Sequence, residues 1–381
     1  MKRLAIVITH PIQYYIPLFQ LLTKQIRIKV FYTGGRSAIN KYDKGFGQHI
    51  RWDIPLLQGY EYEFIPNFAC SPGSHHFLGI LNFNAAKRIR RFNPSAVLIY
   101  GWAYLSHLNL MRTFRNKIPV LFRGDSKLIK SNSRFTDYMK SLLLTSVYRD
   151  VVTAFYVGTA NQAYFKAYGL RDSQLAFAPH AVDNSRFAEN RITEVLALRQ
   201  ELGIKPEEII ILFSGKLQEI KNPALLIQAF CNMDISNTQL LMVGSGRLEE
   251  ELKFLASGNS SSKRIHFLPF QNQSRMPVIY QACDLFCLPS KFPGETWGLA
   301  VNEAMAAGKA ILASDEVGSA LDLVSPQNGM VFKSENLDDL TQKLTALVES
   351  KTKLNRLGEN SRKKIADWSL EKQVQRILAH V

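Results

Sequence analysis

The stretch DLFCLPSKFPGETWGLAVNEAMAAGKAILAS, residues 284–314, joins two short apolar runs through a loop and a run of helix-forming residues. The apolar runs predict buried strands at 284–290 and 309–314, and residues 298–307 predict a helix between them. A strand, a helix and a second strand in this order form the repeating unit of a parallel α/β sheet. The stretch therefore predicts an α/β fold with a parallel sheet.

The same alternation of apolar and amphipathic runs continues on both sides of this stretch. Strands predicted in the first half lie at 4–9, 28–33, 96–101, 119–124, 152–157 and 174–179, and helices near 15–26, 80–92, 104–115, 134–148 and 159–167. Further strands are predicted at 208–215, 239–246 and 264–270, and further helices near 192–203, 222–232, 247–256 and 274–282. The polar, turn-forming run PHAVDNSRFAENR (179–191) separates the two series. We therefore expect an α/β fold of two doubly wound Rossmann-like domains, residues 1–187 and 188–368, that face a cleft.

Composition is consistent with two globular domains and disfavours disorder. The chain has 381 residues and 46% hydrophobic content, and its four cysteines favour free thiols in a reducing compartment. The apolar run Leu4–Ile8 ends at His10-Pro11 and is shorter than the core of an export signal. No run of about 18 successive apolar residues occurs, so no membrane-spanning helix is expected. These features predict a cytoplasmic protein.

The net charge of +15 belongs to one half of the chain. Residues 1–190 hold 25 Lys and Arg against 10 Asp and Glu, whereas residues 191–381 hold 22 of each kind. No acid lies between Glu63 and Asp125. This asymmetry favours an anionic partner, which is a lipid surface, a phosphorylated glycan or a nucleic acid. The alternative is a solvated basic face that only keeps the protein soluble.

Two acids stand eight positions apart in the opening stretch, among Gly, Ala, Trp, Leu and Val. Glu295 precedes the predicted helix and Glu303 lies about two turns into it. Eight helical residues rise about 12 Å, which is close to the reach of a nucleotide diphosphate from its sugar to its ribose. Carboxylates accept hydrogen bonds from neighbouring sugar hydroxyls, and a helix start suits a phosphate. The alternative is that Glu295 only favours the helix dipole and that Glu303 is a surface residue.

Two lysines follow the first strand of the second domain, in FSGKLQEIKNPALL (213–226). Lys216 and Lys221 stand before a helix whose first turn holds Pro223, so both ammonium groups could neutralise a diphosphate. No Asp-x-Asp motif occurs, so we expect the lysines to take the place of a metal ion and no metal site or cofactor.

Together these segments resemble the retaining glycosyltransferases of family 4, which have the GT-B fold. The resemblance is carried by SGKLQEIKNP (214–223), LLMVGSGRLEEEL (240–252), IHFLPF (265–270), YQACDLFCLPS (280–290) and ETWGLAVNEAMAAGKAILASDEVGS (295–319). It implies that Glu295 contacts the hydroxyls of the donor sugar, that Glu303 binds the ribose, and that Lys216 and Lys221 bind the diphosphate. The expected catalytic residues are therefore Glu295, Lys216 and Lys221. The other expected donor-binding residues are Glu303, Gly215, Gly244, Phe270, Thr296, Trp297, Gly298 and Leu299.

The first half departs further from this family. Relatives often carry a glycine-rich loop after the first strand, whereas this chain has THPIQYYIPLF (9–19), similar to a subset that acts on bacterial surface polysaccharides. The acceptor-side candidates are His10, Gln13, Tyr14, Arg123 and Asp125. The alternative for the first three is a proline-stiffened turn. Arg123 and Asp125 stand where relatives often carry a histidine, whose role therefore cannot be transferred. The end of the chain, residues 369–381, resembles a helix that packs back on the first domain.

The function expected is metal-independent, retaining transfer of a sugar from a UDP- or GDP-linked donor. The acceptor expected is a glycan or a lipid-linked glycan in cell-surface polysaccharide or lipopolysaccharide synthesis. A nucleic-acid-binding protein and a catalytically silent scaffold are the alternatives. The segment FLGILNFNAAKRIRR (77–91) predicts an amphipathic helix that attaches the protein peripherally to the anionic inner face of the plasma membrane through Lys87, Arg88, Arg90 and Arg91. The alternative is that its apolar residues pack under the first sheet and only the cations meet solvent.

Overall fold

A computed structural model describes residues 2–39, 42–43, 45–129, 133–233 and 235–381. The chain divides into two compact units. The first unit comprises Met1–Lys41, Ile54–His180 and Leu370–Val381. The second unit comprises Tyr42–Asp53 and Ala181–Ser369.

The strands and helices alternate along most of the chain. The strands are β1 (Arg3–Ile8), β2 (Arg27–Tyr32), β3 (Tyr42–Asp43), β4 (Gln48–His49), β5 (Glu61–Phe64), β6 (Ala96–Tyr100), β7 (Val120–Arg123), β8 (Thr153–Tyr156), β9 (Leu175–Phe177), β10 (Ile209–Ser214), β11 (Thr238–Val243), β12 (Ile265–Leu268), β13 (Leu285–Leu288), β14 (Ala310–Ser314) and β15 (Gly329–Phe332). The α-helices are α1 (Ile16–Thr23), α2 (Ala85–Phe92), α3 (Leu105–Phe114), α4 (Arg134–Tyr148), α5 (Thr159–Ala167), α6 (Asn184–Ala188), α7 (Ile192–Glu201), α8 (Pro223–Asn232), α9 (Glu249–Ser257), α10 (Met276–Ala282), α11 (Leu299–Ala306), α12 (Ala320–Leu323), α13 (Leu337–Val348), α14 (Lys351–Ile365) and α15 (Leu370–Leu378). Short 3-10 turns occur at Arg36–Ile39, Phe77–Gly79, Asp172–Gln174, Glu219–Lys221 and Ser262–Arg264.

The first unit is built on a parallel sheet with the strand order β5-β2-β1-β6-β7-β8-β9. Its central strand β1 pairs with β2 from Arg3↔Arg27 to Ile8↔Tyr32, and with β6 on the other side. The central strands are continuous apolar runs because helices cover both faces of a parallel sheet. Helices α2, α3, α4 and α5 share one apolar cluster with one face of the sheet. The C-terminal helix α15 packs against α1 in this unit.

The second unit is built on a parallel sheet with the order β12-β11-β10-β13-β14-β15. This is the doubly wound order, in which the chain leaves the central strand β10 first in one direction and then, through β13, in the other. The core beneath one face holds side chains of α8, α9, α13 and α14, with Leu226, Leu240 and Leu344 fully buried. The expected fold class, two Rossmann-like units of the GT-B kind, is confirmed.

The observed units differ from the expected boundaries at two places. The division lies at His180 and not at residue 187, because Phe187 is buried against the ring of Tyr280, with ring centroids 5.7 Å apart. Residues 42–53, which carry the antiparallel hairpin β3–β4, belong to the second unit although the sequence placed them in the first domain.

The prediction of one amphipathic helix over residues 77–91 is wrong, because α2 begins only at Ala85. The side chain of Asn82 donates to the carbonyl oxygens of Thr33 (3.0 Å) and Pro66 (2.8 Å), which ties the preceding segment to the sheet. Ile80 is buried. In the part of the chain that the structure describes, none of the helices is long and apolar enough to cross a membrane.

Candidate functional site

The doubly wound order of the second sheet places a crevice at the carboxyl ends of β10 and β13, where the chain direction reverses. Gly215 and Lys216 follow β10, and the loop that ends in Gly298 follows β13. The glycines permit a close backbone approach at this edge. A Cβ atom on Gly244 would lie 1.9 Å from the carbonyl oxygen of Gly215, so no other residue fits there.

Lys221 and Glu295 form an ion pair between the two loops of this crevice. Their side chains are 15% and 20% exposed, so water screens the pair only in part. The backbone of Glu295 is fixed by a parallel bridge to Val317 and by the amide of Gly318, which donates to its carbonyl oxygen at 3.1 Å. The structure thus brings together two residues that the sequence placed at one site.

The start of α11 is fixed by Gly298 and Trp297. Gly298 has φ 93°, in the left-handed region, and a Cβ atom there would lie 3.0 Å from Val317. The indole of Trp297 is buried and donates to the amide oxygen of Asn302 at 2.8 Å. Trp297 therefore holds the helix start in place, while the neighbouring Thr296 is exposed and Leu299 half-buried.

Glu303 is 4% exposed on α11, and its carboxylate accepts a hydrogen bond from the hydroxyl of Tyr280 at 2.8 Å. The alternative interpretation of Glu303 as a surface residue is therefore wrong. Tyr280 is fully buried on α10 and was not singled out from the sequence. Burial of a carboxylate requires such partners, since an isolated charge in an apolar interior is costly.

Lys216 is bound by Asp43 from the β3–β4 hairpin of the same unit. The Lys216 ammonium lies 2.8 and 2.9 Å from the two carboxylate oxygens of Asp43 and 5.0 Å from the ring centroid of Phe46. Burial alone would raise the pKa of the Asp43 carboxyl, but the hydrogen bond and charge of Lys216, with the amides of Gly45 and Phe46, lower the pKa below its usual value. The carboxylate of Asp43 is therefore ionised at neutral pH.

The rest of this hairpin segment covers Phe270. The rings of Phe46 and Trp52 lie 4.8 and 5.9 Å from the ring of Phe270, measured between centroids. The Phe270 amide donates to the hydroxyl of Ser245 at 3.1 Å. Further along, the amide of Ser274 donates to the carboxylate of Asp53. We call residues 42–53 the strap.

The first unit holds a cavity of about 230 Å³ at the carboxyl ends of β1, β6 and β7. Its lining residues are Ile8, Thr9, Ile12, Tyr15, Tyr100, Gly101, Ala103, Tyr104, Arg123, Gly124, Asp125, Val157 and His180. Of the acceptor-side candidates, Arg123 and Asp125 line this cavity. His10, Gln13 and Tyr14 are half-buried and are not among its lining residues.

Arg123 is a fully buried cation whose first role is structural. Its two terminal nitrogens donate to the carbonyl oxygens of Ala178 (2.9 Å) and Pro179 (3.1 Å), so it joins β7 to the segment after β9. His180 follows this segment and stacks on Tyr15, with ring centroids 6.3 Å apart. Burial, with the charge of Arg123, lowers the pKa of His180 to about 3. His180 is therefore a neutral residue in the wall of the cavity. No sequence pattern distinguished it from the rest of the run 179–191.

Among the described residues, no group of three or more His, Cys, Asp or Glu side chains is placed to hold a metal ion. The two lysines after β10 each pair with a carboxylate, Lys216 with Asp43 and Lys221 with Glu295. Glu303 lies further along α11, where Tyr280 donates to it.

The second unit matches the model of one known family. The model of the family described as "Glycosyl transferases group 1" matches residues 195–364, which contain both lysines and both glutamates of the crevice. Residues 195–364 therefore resemble a group 1 glycosyltransferase domain. The residues that carried the resemblance to family 4 lie within this domain.

Two proteins similar to this chain are named as a glycosyltransferase and a mannosyltransferase. "D-inositol 3-phosphate glycosyltransferase" from Nocardia farcinica is 30% identical over 200 residues, which cover 50% of this chain and 43% of that protein. "GDP-mannose-dependent monoacylated alpha-(1-6)-phosphatidylinositol monomannoside mannosyltransferase" from Corynebacterium glutamicum is 29% identical over 230 residues, or 56% and 60% of the two chains. The chain thus spans about half the length of these relatives.

The crystal structure of Anabaena Alr3699/HepE in complex with UDP is similar over the whole chain. Its TM-score is 0.77 at 17% identity, and the match covers 100% of this chain and 99% of that one. At 17% identity this likeness shows the fold alone. It extends over both units and is not limited to residues 195–364.

Proposed function

We propose that the protein is a retaining glycosyltransferase that transfers a sugar from a nucleotide diphosphate sugar to a glycan or lipid-linked acceptor. The observation that carries the proposal is the Lys221–Glu295 pair at the reversal of the second sheet, with the buried Glu303 on the adjoining helix. A cation for the diphosphate and two carboxylates for sugar hydroxyls match the three parts of such a donor.

In this proposal Glu303 binds the ribose, Lys216 and Lys221 bind the diphosphate, and Glu295 orients the hydroxyls of the donor sugar. The start of α11 carries no acidic residue and no side-chain cap, so its backbone amides suit a phosphate. Gly215, Gly244 and Phe270 border the site. Donors linked to UDP or GDP are both proposed, because one similar protein is named for GDP-mannose and another was crystallised with UDP.

The proposed reaction needs no protein nucleophile. The bond between the anomeric carbon and the diphosphate oxygen breaks, and the acceptor oxygen bonds to the same face of that carbon. The acceptor proton passes to the leaving diphosphate. The two ammonium groups stabilise the negative charge that develops on the diphosphate, which is the role a metal ion plays elsewhere.

The first unit is proposed to bind the acceptor in the cavity at the ends of β1, β6 and β7, next to Arg123 and Asp125. Its net positive charge supports an anionic acceptor or a membrane surface. The name of the Corynebacterium relative contains a phosphatidylinositol mannoside, an acceptor of the lipid-linked class. We therefore place the reaction in cell-surface polysaccharide or lipopolysaccharide synthesis, at the cytoplasmic face of the plasma membrane.

The test is to incubate the purified chain with a panel of UDP- and GDP-sugars and with glycan and lipid-linked glycan acceptors, and to measure release of the free nucleotide diphosphate, with and without EDTA. We expect release from one donor, unchanged by EDTA, and a product with the donor's anomeric configuration by NMR. Release from none of the donors would contradict the proposal. If EDTA inhibited release and added metal restored it, the reaction would depend on a metal ion. A product with the inverted anomeric configuration would contradict the proposed retention.

A further inference from the structure

Helix α4 turns its large apolar side chains outward. Five residues of its first ten are between 49% and 73% exposed: Phe135, Tyr138, Met139, Leu142 and Leu143. The half-buried positions of the same turns are polar, namely Asp137, Lys140 and Ser141. A surface helix ordinarily does the opposite and buries its apolar face against the core.

The outward orientation of this stripe is held by the rest of the helix. Leu144, Val147 and Tyr148 at its C-terminal end are buried in the core of the first unit. The Lys140 ammonium lies 6.0 Å from the ring centroid of Tyr168, so this cation points at the protein. Ser133 caps the start of the helix, and its hydroxyl accepts from the amide of Thr136. Rotation of α4 to bury the stripe would expose its core residues.

Cations flank the stripe at both ends. Arg134 is exposed at the first residue of α4. Beyond its last residue, Arg149, Arg115 and Lys117 are exposed and line a shallow cavity of about 380 Å³. The acid of this cluster, Asp150, has a side chain only 5% exposed and lies 3.0 Å from the Arg115 guanidinium. Positive charge therefore faces outward beside the apolar side chains.

We propose that α4 docks the protein onto a lipid bilayer with anionic headgroups, its apolar stripe in the interface and its flanking cations on the headgroups. This deepens the proposed function, on whose membrane association it rests, and assigns that association to α4 in place of residues 77–91. Apolar and basic groups on one helix are the combination that an anionic bilayer binds. A second copy would bring like charges together, because cations lie at both ends of the stripe and a two-fold contact in either helix orientation would set cations against cations.

A competing surface exists in the same unit. Phe68, Phe77, Leu78 and Phe83 are exposed near the cations of α2. The rings of Phe68 and Phe83 contact each other, with centroids 5.5 Å apart, and Phe83 is still 82% exposed, so the experiment must separate this surface from the stripe. The two surfaces can be separated by substitution, since they share no residue.

The test uses the full chain and vesicles of phosphatidylglycerol mixed with phosphatidylcholine, or of phosphatidylcholine alone. Wild type should sediment with the anionic vesicles and be released by salt. The variant F135S/L142S/L143S should bind at least about tenfold more weakly. F77S/F83S is the matched control on the competing surface, and F254S is the control on α9 of the second unit, where Phe254 is 82% exposed. Both controls should bind like wild type.

A positional readout complements sedimentation. Emission of L142W should be quenched by brominated lipid in anionic vesicles, and that of F254W should not. Release of nucleotide diphosphate without vesicles should be unchanged in F135S/L142S/L143S, so a failure of docking is distinguished from a failure of the proposed enzyme. Loss of binding only in F77S/F83S would overturn the proposal. So would a lipid-free dimer that F135S/L142S/L143S converts to monomers, since the stripe would then be an interface between copies.

Discussion

Lys216 is held by both carboxylate oxygens of Asp43, at 2.8 and 2.9 Å from its ammonium nitrogen. Lys221, the other cation of the crevice, is held by Glu295. Each lysine proposed for the diphosphate thus already carries a carboxylate. Phosphate oxygens of a donor would therefore compete with these carboxylate oxygens for the lysines. Asp43 belongs to the strap, which also covers Phe270.

Removal of the Asp43 charge should strengthen nucleotide binding. In D43N the Lys216 ammonium no longer has a competing anion, so UDP or GDP should bind more tightly. Both side chains are one-third exposed, which limits the pair to about 0–1 kcal/mol and the gain in affinity to about fivefold. Calorimetric titration with each nucleotide measures the effect.

The control for D43N is E250Q, which makes the same change in net charge at a residue of α9 that is mostly exposed. It should leave the affinity unaltered. Equal or weaker binding by D43N would show that the strap assists the donor and does not compete with it.

Glu295 and Lys221 should be coupled in stability but not in activity. E295Q or K221M alone leaves one partly buried charge without its partner, so each should lower the free energy of unfolding by about 1–3 kcal/mol. The double variant K221M/E295Q should regain much of that loss. Urea unfolding of wild type, the two single variants and the double variant completes this double-mutant cycle.

Activity should show no such recovery. K221M should lose about 2.7–4 kcal/mol of transition-state stabilisation, by analogy with a lost oxyanion donor. E295Q should be equally impaired, and the double variant should remain inactive. An active K221M/E295Q enzyme would reduce the pair to a structural ion pair.

Glu303 should act mainly on binding. E303Q keeps the shape of the side chain and weakens its acceptance of ribose hydroxyls, a contact present before and during reaction, so KM should rise more than kcat falls. Y280F removes only the hydroxyl that donates to Glu303 and should change KM less. Steady-state kinetics on both variants measure the split, and a fall confined to kcat would assign Glu303 to the chemical step.

The places of the expected site residues in the second unit were predictable from its regular alternation of strands and helices. Glu295, Glu303, Lys216 and Lys221 stand at fixed distances from apolar runs, and the doubly wound order brings the ends of those runs to one edge. The partners of these residues were not predictable. In the sequence, Tyr280 cannot be distinguished from the other apolar positions of its predicted helix. Its contact with Glu303 depends on tertiary packing.

The strap and helix α4 show two other limits of the sequence. Asp43 and Phe46 lie in a polar, glycine-containing run of the first half, and nothing local indicates that they bind residues of the second unit. The periodicity of residues 134–148 predicted α4 with its correct bounds. It could not indicate which face is buried, because Leu144 and Val147 near its end decide the orientation of the whole helix.

His180, one of two buried histidines among the described residues of the first unit, should make stability depend on pH. Burial, with the charge of Arg123, lowers the pKa of His180 to about 3, whereas an unfolded histidine titrates near about 6.5. Between these values the unfolded chain binds a proton that the folded chain does not, so stability falls as the pH falls through this window. The slope from this residue is at most about 1.4 kcal/mol per pH unit.

H180F keeps a ring against Tyr15 and removes the titration, so its urea midpoint should fall less than that of wild type between about pH 6.5 and about pH 4. H380F is the control, because His380 is exposed near the end of the chain, and its profile should follow wild type. Parallel pH profiles for wild type and H180F would show that His180 takes up a proton in the folded protein.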